Sequence, residues 1–250
     1  MNVVVTGGGT IAPIDDVRSI TNGSSGRFSA EITEACLRLG ASVWHVHSTS
    51  AQLPFARAAR FDLDAPDPFA EHARLDALLD RWVGARPRLR LVPLTRGTVA
   101  DYAVTLQKVL TGRSIDVAFL AMAASDYEPE PVVGKIDSDS DAITIRARRV
   151  PKVIRSVREW APEVFLVGFK LLSRVEPAEL IHAARSACVT TRADLTVAND
   201  LQTLREGAHT VHLVRPGFAV ETLGPGEGLA RALVDRVFAL SRERAADRRA

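Results

Sequence analysis

The residues best suited to chemistry fall in short segments that follow apolar runs. Gly7-Gly8-Gly9-Thr10 comes directly after a β-branched run. Glycines let a backbone approach an anion closely and aim N–H groups at it. Gly7, Gly9 and Ala12 also satisfy the G-x-G-x-x-A spacing of dinucleotide sites, although Pro13 stands where the following helix should already be running. A plain turn is the third reading. Thr21-Asn22-Gly23-Ser24-Ser25-Gly26-Arg27 lies just ahead of an amphipathic stretch. Ser24 or Ser25 can cap that helix. A helix N-terminus with small hydroxyl residues and an adjacent Arg also makes an anion site. Two glycine-rich loops at the same end of one sheet favour phosphate, with most of IAPIDDVRSI lying over the ligand. Gly8, Gly9, Thr10, Ser24, Ser25 and Gly26 are therefore the candidate phosphate residues.

Of the 32 Lys and Arg residues only four are lysines: Lys108, Lys135, Lys152 and Lys170. Lys108 sits in a helical stretch and reads as solvated. The other three stand in GKI, VPK and GFK, at loop or strand-end positions. A compact ammonium suits a transferring phosphoryl or nucleotidyl group differently from a planar guanidinium. Chance placement is the competing reading for each. Ala123-Ala124-Ser125-Asp126-Tyr127 offers small residues that leave room for a flat base or ribose. Asp126 either reaches Mg²⁺ or a hydroxyl, or caps the turn before Pro129. Asn199-Asp200 follows another apolar run and can be an Asx turn or a contact residue. No Ser–His–Asp grouping, HExxH or Walker A pattern is present, and the six histidines show no ligand spacing.

These segments need a frame. Residues 2–6 are a run of the kind buried on both faces of a sheet. Residues 28–39 have helical apolar spacing, with Gly40 as the stop. Strands are predicted at 42–46, 89–93, 115–121, 165–169 and 195–199. Helices are predicted at 70–83, 98–110, 151–160, 177–190 and 226–242. Residues 51–70 read as irregular and 125–141 as a long loop. The alternation at 143–149 suggests a half-exposed strand. Residues 210–214 and 219–223 can pair as a hairpin across Pro216-Gly217. The order predicts an α/β fold: a doubly wound, mostly parallel Rossmann-like sheet with helices on both faces and a small antiparallel extension. One domain is expected over 1–242, with a frayed charged tail at 243–250. Ligands should bind beyond the carboxyl ends of the strands.

Composition narrows the partners. Hydrophobic residues are 46% and charged residues 25%, ordinary for a globular chain. The net charge of +2 and the dispersed arginines argue against a nucleic-acid binder. No apolar run approaches the ~20 residues of a membrane helix, so no membrane partner is expected. Strand-like sequence from Asn2 gives the expectation of no leader and a cytoplasmic protein. Cys36 and Cys188 read as buried free thiols.

Taken together the segments resemble phosphopantothenoylcysteine synthetases, from residue 2 to about 240. The opening VVVTGGGTIAPIDDVRSITNGSSGR matches that family's strand, GGT, Pro, Asp and V-R-x-I-T-N-x-S-S-G. AMAASDYEPEPVVGKI, RRVPKVIRSVREWAPEVFLVGFKLLS and ADLTVANDL match its later blocks. The VPK…WAP…FKL pattern is more similar to the stand-alone synthetases than to the bacterial fusions. Two departures stand out: only Lys135 remains in a flap that often carries several lysines, followed by Ile136-Asp137-Ser138, and Gly23 replaces a bulkier residue.

The resemblance implies that a nucleoside triphosphate, ATP or CTP with Mg²⁺, activates the carboxylate of 4′-phosphopantothenate for attack by cysteine. It implies no FMN, and metal held by no protein ligand other than Asp126 if any. Asn22 matches a residue that handles the acyl-nucleotide intermediate, and Lys135 is expected to stabilise charge on the phosphates. Ala123, Asp126 and Phe169 are the candidates around base and ribose. Arg18, Asn22, Lys152, Lys170 and Asn199 are the candidates for substrate, with Arg18 either contacting its phosphate or ordering the loop. Family members are commonly dimers, so a homodimer is expected, with the 200–224 region as its element. The alternatives are a nicotinamide-dependent reductase, for the G-x-G-x-x-A spacing, and an inactive nucleotide-binding regulator, for the single-lysine flap.

Overall fold

The computed structural model describes residues 1–137, 139, 141–226 and 228–248. Ser138, Ser140, Glu227 and the last two residues of the predicted tail lie outside them. The chain opens with β1 (Asn2–Gly7), followed by a hairpin of β2 (Ile11–Pro13) and β3 (Ser19–Thr21). Next comes α1 (Arg27–Arg38), which ends where Gly40 takes φ 82° and donates its N–H to the Leu37 carbonyl at 3.1 Å. β4 (Ser42–His47), α2 (Pro68–Ala85), β5 (Leu89–Pro93), α3 (Val99–Thr111) and β6 (Val117–Leu120) follow. A second small hairpin, β7 (Tyr127–Pro129) with β8 (Ala147–Arg149), precedes α4 (Val157–Trp160). The remainder is β9 (Phe165–Leu172), α5 (Pro177–Thr191), β10 (Leu195–Asp200), α6 (Leu201–Arg205), β11 (Val211–Val214), β12 (Glu221–Leu223) and α7 (Leu229–Asp247).

Eight strands form one sheet in the order β12-β11-β10-β9-β6-β1-β4-β5. Neighbours from β10 to β5 are parallel, and β11 and β12 add antiparallel at one edge. The six parallel strands thus have the doubly wound order: β4 and β5 are added on one side of β1, and β6, β9 and β10 on the other. A crevice opens beyond the carboxyl ends of the strands at such a switch point. The two-residue period of a strand explains the two cores. Val3 and Val5 of β1 face one apolar layer with Ile32 of α1 and Val234 of α7. Val4 faces the other, with Leu106 of α3 and Val157 of α4. All seven are fully buried. Both cysteines are buried free thiols, and burial pushes the pKa of each up. Among the described residues no helix is long and apolar enough to cross a membrane.

Four departures from the expected elements bear on the site and its frame. α2 begins at Pro68 rather than 70, because Asp67 accepts from the Phe69 N–H at 2.9 Å and Pro68 fills the first helical position. The expected strand 143–149 shrinks to Ala147–Arg149, paired with Tyr127–Pro129 inside the expected loop. Its ladder ends at Pro129, which pairs with Ala147 and has no N–H to donate. The expected helix 151–160 divides into a 3₁₀ turn at 153–156 and one turn of α4. The tail is ordered further than expected: α7 runs to Asp247. Asp194 Oδ2 accepts from Arg244 Nη1 at 2.5 Å, from Arg158 Nη2 at 2.6 Å and from the Leu166 N–H at 2.7 Å. Arg248 pairs with Glu163 beyond that. These contacts hold the end of α7 against the sheet.

Candidate active site

The first glycine segment turns at the end of β1, where Gly8 adopts φ 88°. Gly9 then bridges to Ala123 beyond the end of β6, across the switch point. Ala123 N–H donates to Gly8 O at 2.9 Å, and Thr10 N–H donates to Ala123 O at 3.1 Å. The Ser125 N–H donates to Thr10 Oγ1 at 2.9 Å. Asn22 Nδ2 donates to the same Ala123 carbonyl at 3.3 Å. Gly9, Thr10, Asn22 and Ala123 therefore meet at one point although 101 positions separate Asn22 from Ala123. No helix follows Gly9; β2 does, and α1 begins only at Arg27. That order does not fit the dinucleotide fingerprint, which needs a helix directly after its glycines.

The glycines serve close packing more than expected. A Cβ on Gly9 would stand 2.4 Å from the Asn22 carbonyl oxygen. The second glycine loop packs on the first: a Cβ on Gly26 would lie 2.9 Å from Ala51 Cβ and 3.2 Å from Gly8 N. Gly26 itself, at φ 72°, occupies the N-cap of α1, and the helix has no side-chain cap there. This corrects the expectation that Ser24 or Ser25 caps it. Ser25 Oγ accepts from the Arg27 N–H only at 3.3 Å. A helix start lacking a side-chain cap presents N–H groups to an anion. We expect Gly9→Ala to force the end of β3 away and to destabilise the protein by about 1–3 kcal/mol. A urea midpoint equal to that of the unsubstituted chain would contradict this.

Around the neighbouring strand ends, Asp126 and Lys152 form an ion pair at 3.0 Å. Asp126 therefore has a lysine partner. They border a cleft of about 150 Å³ lined also by Ala124, Ser125 and Phe169. Lys170 and Phe169 line a larger adjoining cleft of about 380 Å³ that reaches α5. Asn199 lies half-buried at the end of β10. Asp200 makes the Asx arrangement, its Oδ1 accepting from the Gln202 N–H at 2.7 Å as the cap of α6. Among the described residues no cluster of His, Cys, Asp or Glu could hold a metal ion.

Arg18 and the segment carrying Lys135 are joined through Asp15 and Ile136. Asp15 has a fully buried side chain and pairs with Arg18 Nη1 at 2.8 Å. Arg18 Nη1 also donates to Ile136 O at 3.0 Å. Lys135 is exposed, and its side chain forms no hydrogen bond or ion pair among the described residues. Burial alone would raise the Asp15 carboxyl. The N–H groups of Ile136, Val17 and Arg18 and the Arg18 guanidinium outweigh burial and hold it at about 2. The folded value lies below the ordinary 3.8, so this contribution is complete above that value and is lost as pH falls through about 2. The Ile136 amide resonance should keep its native position near pH 3.8 and shift only as pH approaches about 2. A midpoint at the ordinary carboxylate value would contradict this. Also unforeseen is His209, 4.6 Å from the Phe28 ring, which in turn meets Phe169 edge-on at 6.3 Å. Burial lowers the pKa of His209, and its Nε2 is enclosed without a hydrogen-bond partner. Nothing in the local sequence marks it.

Comparison with known proteins agrees with this geometry. The family model described as the DNA/pantothenate metabolism flavoprotein C-terminal domain matches residues 1–67 and 98–240. The unmatched interval holds α2 and β5. The phosphopantothenate–cysteine ligase of Mus musculus is 30% identical, covering 93% of this chain and 81% of its own length. The coenzyme A biosynthesis bifunctional protein CoaBC of Thermococcus kodakarensis is 29% identical over 87% of this chain, which spans only 45% of that longer protein. The crystal structure of the DNA/pantothenate metabolism flavoprotein from Streptococcus pneumoniae superposes with a TM-score of 0.75 at 27% identity, covering 96% of this chain and 99% of that one. With a family model matching most of its length and a glycine–asparagine–alanine junction at the switch of a doubly wound sheet, the chain belongs to the family of the DNA/pantothenate metabolism flavoprotein C-terminal domain.

Proposed function

We propose that this chain is a phosphopantothenate–cysteine ligase acting in coenzyme A biosynthesis. The observation that carries the reading is the meeting of Asn22 with the Gly9–Ala123 bridge at the switch point. It sets a neutral amide beside a helix start that lacks a side-chain cap.

A carboxylate is a poor acyl donor because oxide is its leaving group. In the first step a carboxylate oxygen of 4′-phosphopantothenate attacks the α-phosphorus of a nucleoside triphosphate. The bond to the bridging oxygen breaks and pyrophosphate leaves; Mg²⁺ brought by the triphosphate would neutralise its charge. In the second step the amine of cysteine attacks the acyl carbon, the amide forms, and the nucleoside monophosphate and one proton depart. The start of α1 and the Ser24–Gly26 turn cradle phosphate through backbone N–H groups. Lys135 neutralises charge developing on the phosphates. Ala123, Asp126 and Phe169 border base and ribose, and Lys152, Lys170 and Asn199 meet the substrate end. No flavin takes part. The working form is a cytoplasmic homodimer built through the 200–224 region.

The test is pyrophosphate release from ATP and from CTP, with and without 4′-phosphopantothenate and cysteine. Release that requires 4′-phosphopantothenate, followed by amide formation only with cysteine, is expected. Orthophosphate in place of pyrophosphate would refute the reading.

A further inference from the structure

The strongest unassigned arrangement joins the turn of the β2–β3 hairpin to the segment carrying Lys135. Asp15 Oδ1 accepts from the N–H groups of Val17 at 2.8 Å and Arg18 at 2.6 Å. Its other oxygen accepts from Arg18 Nη1 at 2.8 Å and from the Ile136 N–H at 3.0 Å. Arg18 Nη1 returns to Ile136 O, so both backbone groups of Ile136 are held by one partly buried ion pair. Asp16 does the same for Gly134. Its N–H donates to Gly134 O and its Oδ2 accepts from the Gly134 N–H, both at 3.1 Å. Val132 N–H donates to Ile14 O at 2.9 Å. Residues 132, 134 and 136 are thus each fastened to the turn, and Lys135 lies between two residues gripped at both N–H and C=O.

The other end of the hairpin leads to the site. Ile11 pairs with Thr21, and Asn22 follows at once with its amide on Ala123. One rigid ribbon therefore reaches Asn22 at one end and the Lys135 segment at the other. A carboxylate that accepts four donors while fully enclosed is costly to assemble unless every lone pair is used. Here it is satisfied almost entirely by backbone of its own turn and of a segment 121 positions away. An exposed loop has no need of such an anchor for folding alone, because its neighbouring residues 139 and 141–149 are solvent-exposed.

We propose that Asp15, assisted by Asp16, is the positioning residue that sets the register of Lys135 relative to Asn22, so that ammonium and amide act on the same bound triphosphate. This rests on the ligase reading above and extends it to a residue outside the reacting groups. Asp15→Asn keeps the shape but offers one acceptor oxygen in place of two; its turn partners are two and three residues away, so the distant Ile136 N–H is the one that loses its acceptor.

The experiment has two independent arms. In the first, single-turnover pyrophosphate release is followed with ATP, Mg²⁺ and 4′-phosphopantothenate for the unsubstituted chain, Asp15→Asn, Lys135→Ala and the double variant. Asp15→Asn should slow release about 10²-fold, the effect of a misplaced group. In the Lys135→Ala background it should change release less than about twofold, because residues acting through one another are non-additive. Equal losses in both backgrounds, or turnover by Asp15→Asn at the unsubstituted rate, would overturn the proposal. In the second arm, amide hydrogen exchange at Gly134 and Ile136 is measured without substrates. Exchange there should accelerate in Asp15→Asn while the sheet amides of β1 and β6 stay protected; unchanged exchange at Ile136 would overturn it too. Asp16→Ala, an exposed change that frees only Gly134, should give the same pattern with a smaller loss, and it stands in if Asp15→Asn fails to fold. Should the unsubstituted chain release no pyrophosphate, the ligase reading fails, and the exchange arm still decides whether Asp15 holds the segment.

Discussion

Lys135→Ala is expected to lower phosphopantothenate-dependent pyrophosphate release by at least 10²–10³, the cost of removing one preorganised donor from developing charge. Its thermal midpoint should move by no more than about 2 °C, since an exposed side chain away from packing contributes within about 0.5 kcal/mol. The structure makes this separation sharp. The Lys135 ammonium has no carboxylate or carbonyl partner among the described residues, whereas Lys152 is paired with Asp126 and Lys108 is exposed on α3. The segment around it is held by backbone groups of Gly134 and Ile136, which the substitution leaves in place. Differential scanning fluorimetry beside the pyrophosphate assay reads both quantities. A drop of many degrees would mean that Lys135 is structural, and the charge-stabilising role would be lost.

Asn22→Ala carries the second large effect and strikes the other half-reaction. Its carboxamide is exposed and makes one long hydrogen bond, 3.3 Å to Ala123 O, so little stability depends on it. A neutral amide can donate to a mixed-anhydride carbonyl at any pH, with no protonation to wait for. Without it, amide formation should fall about 10²–10³-fold. Pyrophosphate should continue to form and exceed the amide product, because the activated acyl group escapes to water. Mass spectrometry of the trapped acyl-nucleotide, with pyrophosphate and product counted together, measures this. Stoichiometric coupling in Asn22→Ala would remove Asn22 from the mechanism. Because Gly9 packs on the backbone carbonyl of the same residue, the Gly9→Ala effect should appear as misplacement of Asn22 and not only as lost stability.

Much of this architecture was legible before any coordinates. Val3-Val4-Val5 reads as a strand covered on both faces, and it is an interior strand of the sheet, fully buried. Gly40 stopped α1 where its positive φ allows. The alternation of strands and helices implied the parallel winding, and winding placed the candidate residues at carboxyl ends. These are local properties: pattern, propensity and backbone freedom act over a few residues and are written in neighbouring letters. The Asp67-Pro68 cap is equally local, and it starts α2 two residues before the apolar spacing does.

What the sequence by itself determined, then, was the order of elements and the residue types at the strand ends. Tertiary structure alone decided how those types are used. It packed Gly26 against Gly8, left α1 with no side-chain cap, paired Asp126 with Lys152, and turned Arg18 toward Asp15 and Ile136. It also extended α7 through Arg244 onto Asp194, 50 positions distant. The reason is physical. Whether a carboxylate or guanidinium serves a ligand or a loop depends on which partner enters its hydrogen-bonding reach. Between Asp15 and Ile136, 121 positions of chain must fold before that partner is known.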